Sequence, residues 1–265
     1  AIINVVRCFE DENVTHVNGK VDPISDIETI TTELALSDLA TIEKRITKLE
    51  KSQKSGDKEV KFEYELVKKC LSLLDKFGSL KNVSFEERER KVLANFNLLT
   101  LKPMMFVANV GEDKFVGNSY LNELVSYGKN TKIPVVAICA SLESQLVEFD
   151  EGERKDFLKE SGMEEPGLNR LIREAFCLLG LHTFFTAGPN EVRAWTIKKH
   201  STAPAAAGEI HSDFERGFIR ADVISYTDFI NYRSDVAAKE AGKLRSEGKD
   251  YVVNDGDVIQ FKFNV

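Results

Sequence analysis

Asn109 and Glu112 close a short apolar run, Lys102-Pro103-Met104-Met105-Phe106-Val107-Ala108-Asn109-Val110-Gly111-Glu112-Asp113. An amide and a carboxylate are side chains that can hydrogen-bond the edge of a purine. A carboxylate accepts from the N1–H and N2–H donors of guanine. An amide meets adenine in bidentate fashion, through its N6–H donor and ring-nitrogen acceptor. Such chemistry needs both side chains delivered to one place. Met104 to Ala108 reads as a buried parallel strand, a continuous hydrophobic segment that ends in turn residues. In open α/β sheets, ligands bind just beyond the C-terminal ends of such strands. The plainer reading of the same four residues is an ordinary strand-to-helix turn.

Two other segments would bring chemistry to the same edge. Ala1 to Val6 reads as a second buried strand, followed by Arg7-Cys8-Phe9-Glu10-Asp11-Glu12. If the two strands are neighbours, Phe9 stands beside Asn109, where its ring either stacks on a base or belongs to the core. Ile133-Pro134-Val135-Val136-Ala137-Ile138 reads as a third strand, ending in Cys139-Ala140-Ser141-Leu142-Glu143. A small-residue turn there can bring backbone N–H groups to a ligand, or simply enter a helix.

Other chemistries find little support. The four cysteines, Cys8, Cys70, Cys139 and Cys177, are widely spaced with no Cys-x-x-Cys pair, and read as free thiols suited to a reducing cytoplasm. The histidines, His16, His182, His200 and His211, lack metal-ligand spacing, so no zinc site is expected. No apolar run reaches the length of a membrane span, and no signal-peptide pattern opens the sequence. The chain of 265 residues carries a net charge of −7. Residues 180–265 hold eleven basic and twelve acidic side chains. That region is close to neutral and can carry a local basic patch, although an acidic chain is not a generic nucleic-acid binder.

The length allows two domains. Between the first two strands lies a long helical pattern. Ser25 and Glu28 have capping-box spacing, and Ile27, Ile30, Leu34, Leu39, Ile42, Ile46 and Leu49 form a stripe. Ser52 to Lys58 breaks it, and Val60, Tyr64, Val67, Leu71 and Leu74 form a second stripe. This predicts an antiparallel coiled-coil hairpin, whose charged faces are either solvated or, at the tip, partner-binding. A third helix is expected over Glu86 to Phe96, and further helices over Tyr120 to Tyr127, Glu151 to Ser161 and Leu168 to Leu179. The period then switches to two. Thr183–Thr186 and Glu191–Ile197 flank Ala187-Gly188-Pro189-Asn190, a turn signal. A helix over Ala205 to Phe214, a strand over Phe218 to Tyr226, a helix over Ala237 to Arg245, and a second hairpin of Tyr251–Val253 with Val258–Phe263 complete an α+β module of β-grasp type.

Asn109-x-x-Glu112 resembles the Asn-Lys-x-Asp base-reading motif of P-loop GTPases, with Val110 in place of Lys and Glu112 in place of Asp. The longer Glu moves the guanine acceptors, and the Lys stem that covers the base is gone, so the motif leans towards adenine. Longer runs carry a fuller likeness. They include Val6-Arg7-x-Phe9-Glu10-Asp11, Thr15-His16-Val17-x-Gly19-x-Val21-Asp22-Pro23, Phe185-Thr186-Ala187-Gly188-x-x-Glu191-Val192-Arg193-Ala194-Trp195-Thr196, His211-x-Asp213-Phe214-Glu215-x-Gly217-Phe218-Ile219 and Asp255-Gly256-Asp257. Together these resemble the YchF/Obg-like ATPase family, over essentially the whole chain.

The resemblance implies an α/β fold. Residues 1–26 and 97–160 would form the C-terminal part of a P-loop, OBG-type G domain, and 27–96 the helical coiled-coil insert. Residues 161–179 would form a linking helix and 180–265 a β-grasp domain of TGS type. It implies preference for ATP over GTP, Mg²⁺ as cofactor, a ribosome or ribosomal subunit (and RNA) as partner, and a cytoplasmic location. It places Phe9, Asn109 and Val110 at the adenine, through stacking, amide hydrogen bonding and backbone contact, with Glu112 closing the motif. No Gly-x-x-x-x-Gly-Lys-Ser/Thr occurs in the sequence. The phosphate cradle, Mg²⁺ ligands and catalytic residue are therefore expected upstream of Ala1, in a missing N-terminal part, and the fragment alone is expected not to hydrolyse ATP. The alternative is a ribosome- or RNA-binding adaptor with a regulatory or vestigial nucleotide site. For RNA or ribosome contact the C-terminal module offers Arg193, Lys198, Lys199, Arg216 and Arg220. Arg193 and Lys199 share strand parity and Lys198 opposes them; the bland reading is a scattered solvated surface.

Overall fold

The computed structural model describes residues 1–11, 20–52, 57–112, 117–188 and 191–264. The Thr15–Gly19 part of the family-like run, most of the hairpin tip, Asp113 and the Pro189-Asn190 turn lie outside these. The chain divides into two units, Ala1–Ala175 and Phe176–Val265.

In the first unit three parallel strands run in the order β1 (Ile2–Cys8), β2 (Met104–Val110), β3 (Val135–Ile138). β2 is central, and Met105, Phe106, Val107 and Ala108 are buried, as its unbroken apolar run requires. β1 alternates instead. Val6 and Cys8 are buried, while Ile3 and Val5 are exposed. Burial pushes the Cys8 thiol up to about 12, which keeps it neutral. Helix α4 (Ser119–Thr131) lies close against β3: a Cβ built on Gly128 would come 2.4 Å from Val135 Cγ2. Only glycine fits there.

Helices α1 (Pro23–Ser52) and α2 (Lys58–Phe77) lie side by side. The ion pair Arg45–Glu63 and the hydrogen bond from Tyr64 to Glu50 join them. The sequence places the start of α1 three residues late. The helix begins at Pro23, and the Asp22 carboxylate, not Ser25, accepts the capping hydrogen bond, from the Ser25 N–H at 3.1 Å. Pro is favoured at a first helical position because it lacks only an N–H that would be unpaired anyway. The α2 stripe is rotated from the expected one. Leu66 and Cys70 are fully buried beside Val67 and Leu74, while Val60, Tyr64 and Leu71 are half-buried. Leu80, Phe85, Leu93 of α3 (Glu87–Leu93) and Leu98 complete this core. Helices α5 (Ala140–Glu148), α6 (Glu151–Glu160) and α7 (Gly167–Leu179) follow β3.

The second unit is a five-stranded mixed sheet. Its strands are β4 (Leu181–Ala187), β5 (Val192–Lys198), β6 (Phe218–Ser225), β7 (Arg245–Glu247) and β8 (Asp257–Phe263), in the order β5-β4-β8-β6-β7. β4 and β8 pair in parallel, and the other pairings are antiparallel. Phe184, Ile197, Ala221, Val223, Ile259 and Phe261 pack one face of the sheet against the small residues Ala203, Ala206 and Ala207. Those alanines lie on α8 (Ala203–Ile210).

Three expectations change here. The helix expected over Ala205–Phe214 is broken at His211, whose extended backbone separates α8 from α9 (Ser212–Arg216). The helix expected over Ala237–Arg245 is shorter, α11 (Asp235–Glu240). It is preceded by an unforeseen helix, α10 (Tyr226–Tyr232), and Arg245 belongs to β7. The second hairpin does not form. β8 pairs with β6 and β4, whereas Val252 bridges to Thr202 and the Val253 N–H donates to the Ser201 carbonyl. The buried Asp257 carboxylate explains the geometry. It accepts from the Tyr251 hydroxyl at 2.6 Å and the Asn254 N–H at 2.9 Å, turning the chain away from a tight two-strand return.

Candidate purine-recognition edge

The parallel register sets the geometry. Arg7 lies beside Asn109 and Cys8 beside Val110 on one side, and Ile138 beside Asn109 on the other. All three strands therefore end together, and Phe9, Asn109 to Glu112, and Cys139 to Ser141 emerge at one edge. This is the C-terminal edge of a parallel sheet, where α/β folds present ligand-binding loops.

Asn109 is the penultimate residue of β2, not in the turn beyond it. It is half-buried, and its Oδ1 accepts the Ala140 N–H at 3.1 Å. That bond spans two strand ends and fixes the amide against the first residue of α5. The amide nitrogen makes no hydrogen bond among the described residues and is left as a donor. Val110 is buried, so only its backbone is available at the edge. Glu112 is exposed, with Oε1 3.5 Å from Gln145 Nε2 on α5. Cys139 is buried, with Sγ 3.1 Å from Ser141 Oγ; Ala140 and Ser141 are exposed and open α5. The expected small-residue turn is thus the N-terminus of a helix, whose first N–H groups have no partner within the helix.

Phe9 is half-buried. The Arg7 guanidinium lies 4.9 Å from its ring centroid, and Arg7 Nε donates to the Phe9 carbonyl at 3.0 Å. Gly111 closes in beside it, since a Cβ there would meet Phe9 Cβ at 3.5 Å. Two supporting residues escaped the sequence reading. Asn118 is buried, its Nδ2 donates to the Cys8 carbonyl at 2.8 Å, and its Oδ1 caps α4 at the Leu121 N–H. It thereby fixes the chain one residue before Phe9. The Tyr120 hydroxyl donates to Glu10 at 2.6 Å, and that carboxylate raises its pKa. An Asn just ahead of a helical pattern was the available signal for Asn118.

The five basic residues of the second unit do not converge. Arg193 stacks on Trp195, 4.1 Å from its ring, on the face that carries Ile197 and the core. Lys199 lies one residue beyond β5, with Nζ 3.8 Å from Cys177 Sγ. Lys198 and Arg220 alternate with the buried Ile197 and Ala221, so both lie on the opposite face, where Arg220 Nε is 3.5 Å from Asp222. Arg216 pairs with Asp213 on α9. The grouping of Arg193 with Lys199 is therefore less informative than that of Lys198 with Arg220. Among the described residues no cluster of three or more His, Cys, Asp and Glu side chains could hold a metal ion. Nor is any helix there long and apolar enough to cross a membrane.

The fold is an α/β protein whose parallel strands end together at one edge, and a second unit built on a mixed sheet follows. Comparison with known proteins gives the family. A family model described as YchF-GTPase_C, "Protein of unknown function (DUF933)", matches residues 181–264. The Ribosome-binding ATPase YchF of Haemophilus influenzae is 51% identical over 265 residues, all of this chain and 73% of that protein. The protein of the same name from Escherichia coli O157:H7 is 52% identical over the same span and share. A solved structure of the Schizosaccharomyces pombe YchF GTPase superposes with a TM-score of 0.82 at 32% identity, covering 99% of this chain and 72% of that one. The chain belongs to the YchF family.

If the Phe9 ring stacks on a base, Phe9→Ala should weaken nucleotide binding by roughly 1–3 kcal/mol, on the order of tenfold or more. Fluorescence titration alongside thermal melting checks this. A large fall in melting temperature with unchanged affinity would make Phe9 a core residue instead.

Proposed function

We propose that this chain supplies the base-recognising and ribosome-associating parts of a P-loop ATPase that binds and hydrolyses ATP in preference to GTP in the cytoplasm. The names of its relatives support the general activity and the ribosomal partner. The observation that carries the ATP reading is the meeting of Phe9, the Asn109 amide and the Val110 backbone at one strand edge. In this reading the Asn109 nitrogen donates to an adenine ring nitrogen, and its oxygen uses a second lone pair for the N6 amine. Val110 leaves no Lys stem over the base, and the longer Glu112, whose Oε1 lies 3.5 Å from Gln145 Nε2, suits guanine less well than an Asp.

In this reading residues 1–26 and 97–160 are the nucleotide-binding domain, 27–96 the coiled-coil insert, 161–179 the linking helix and 180–265 a TGS domain. The β-grasp assignment is supported by the strand order, in which the first and last strands of the unit are central and parallel. Mg²⁺ would neutralise the transferred phosphate, but the acidic side chains described here form no metal cluster, so no residue of this chain is assigned to it.

The ribosomal part of the proposal has its own test. Residues 176–265 hold a separate core. They should co-sediment with ribosomes at low salt and lose binding steeply at moderate salt, as counterion release demands. Binding by the whole chain but not by this unit would move the contact to the helical arm or the nucleotide-binding domain.

A further inference from the structure

Two adjoining cavities of about 470 and 460 Å³ lie at the base of the helical hairpin and share Lys81 and Lys102. They open near Pro103 and Ile133, where β2 and β3 begin, so they stand at the opposite end of the strands from Asn109. The first also carries Arg90 and the second Lys132, and no Asp or Glu lines either one. In a chain of net charge −7 that is an uneven arrangement.

Some cations of the helical region are matched: Arg45 with Glu63, Lys69 with Glu89, and Arg88 with Glu59. Among the described residues, Lys81, Lys102 and Lys132 enter no ion pair, and Arg90 donates only to the Phe85 carbonyl. Lys81 is exposed as a residue, yet its surroundings desolvate the ammonium group enough to lower its pKa, with no carboxylate to oppose the shift. The floor of the first cavity is apolar, with the buried Phe85 and Leu98. Volumes of this size suit small molecules, and convergent cations above an apolar floor suit an anion with a hydrophobic body.

We propose that this double cavity is a second ligand site, separate from the purine edge, for a small organic phosphate whose ring or chain lies on Phe85 and Leu98 and whose phosphate is held between Lys81 and Lys102. Lys132 and Arg90 flank that position and extend the site to ligands with a second anionic group. Point-charge ammonium groups suit a phosphate that can approach from either cavity.

The test uses 1-naphthyl phosphate as probe, followed by its fluorescence, with 1-naphthol as the uncharged comparator. The expected result is saturable binding of the phosphate, weaker at high salt and displaced by inorganic phosphate, and at least tenfold weaker binding of 1-naphthol. The double variant K81Q/K102Q should lose at least tenfold in affinity with its melting temperature retained. K132Q should lose about threefold. K155Q, which removes a cation paired with Glu151 elsewhere on the surface, should bind as the parent does. Equal binding of 1-naphthol, no saturation at millimolar probe, or unchanged affinity in both K81Q/K102Q and K132Q would overturn the site.

Discussion

Asp38→Ala is expected to destabilise the first unit by roughly 2–5 kcal/mol. Asp38 is 2% exposed, inside α1, yet it faces no cation among the described residues. Its two oxygens accept from the backbone N–H groups of Leu99 and Thr100, at 2.7 and 2.8 Å. The Thr100 hydroxyl in turn accepts the Leu80 N–H at 3.3 Å. One carboxylate thus clamps the long helix to the turn that leads into β2. Alanine would leave one buried and one part-buried donor without acceptors, which is costlier than losing a solvated pair. For a unit of this size, each kcal/mol moves the melting temperature by about 2–4 °C, so a fall of roughly 4–20 °C should be seen calorimetrically. Asp38→Asn keeps the shape and one acceptor oxygen, and should fall in between. An unchanged melting temperature in Asp38→Ala would show that the clamp contributes nothing net.

Asn109→Ala is expected to weaken ATP binding ~10- to 100-fold, the loss of a bidentate amide worth about 1–3 kcal/mol. The variant also removes the acceptor for the Ala140 N–H, but that residue is exposed and water can replace the oxygen. Stability should therefore change little while affinity falls. Asn109→Asp separates the two roles of the amide. It retains an acceptor for Ala140 and loses the donor, so affinity should still drop. ATP affinity unchanged in both variants would remove Asn109 from base recognition.

The part of this site written in local sequence was legible. The apolar run before Asn109 announces a buried strand, and parallel neighbours follow from the same pattern at Ala1 and Ile133. What the pattern could not give was connection across the chain. Asp38 reads as one more polar residue on a helix surface, because its partners are about sixty residues away. Asn118 reaches back 110 residues to Cys8, a distance at which spacing carries no signal. In the second unit the Asn254–Asp257 turn is real, yet a local hairpin loses to the non-local pairing of β8 between β4 and β6, which buries Ile259 and Phe261. Strand parity predicted the faces of Arg193 and Lys198 correctly, but not that Arg220, three strands away, would share a face with Lys198.

The central claim is adenine selection at the strand edge, and paired equilibrium titrations of the protein with fluorescent ATP and GTP analogues test it most directly. The account predicts that ATP binds at least ~10-fold more tightly, a preference of about 1.4 kcal/mol or more that disappears in Asn109→Ala. Equal affinities, or tighter binding of GTP, would contradict it.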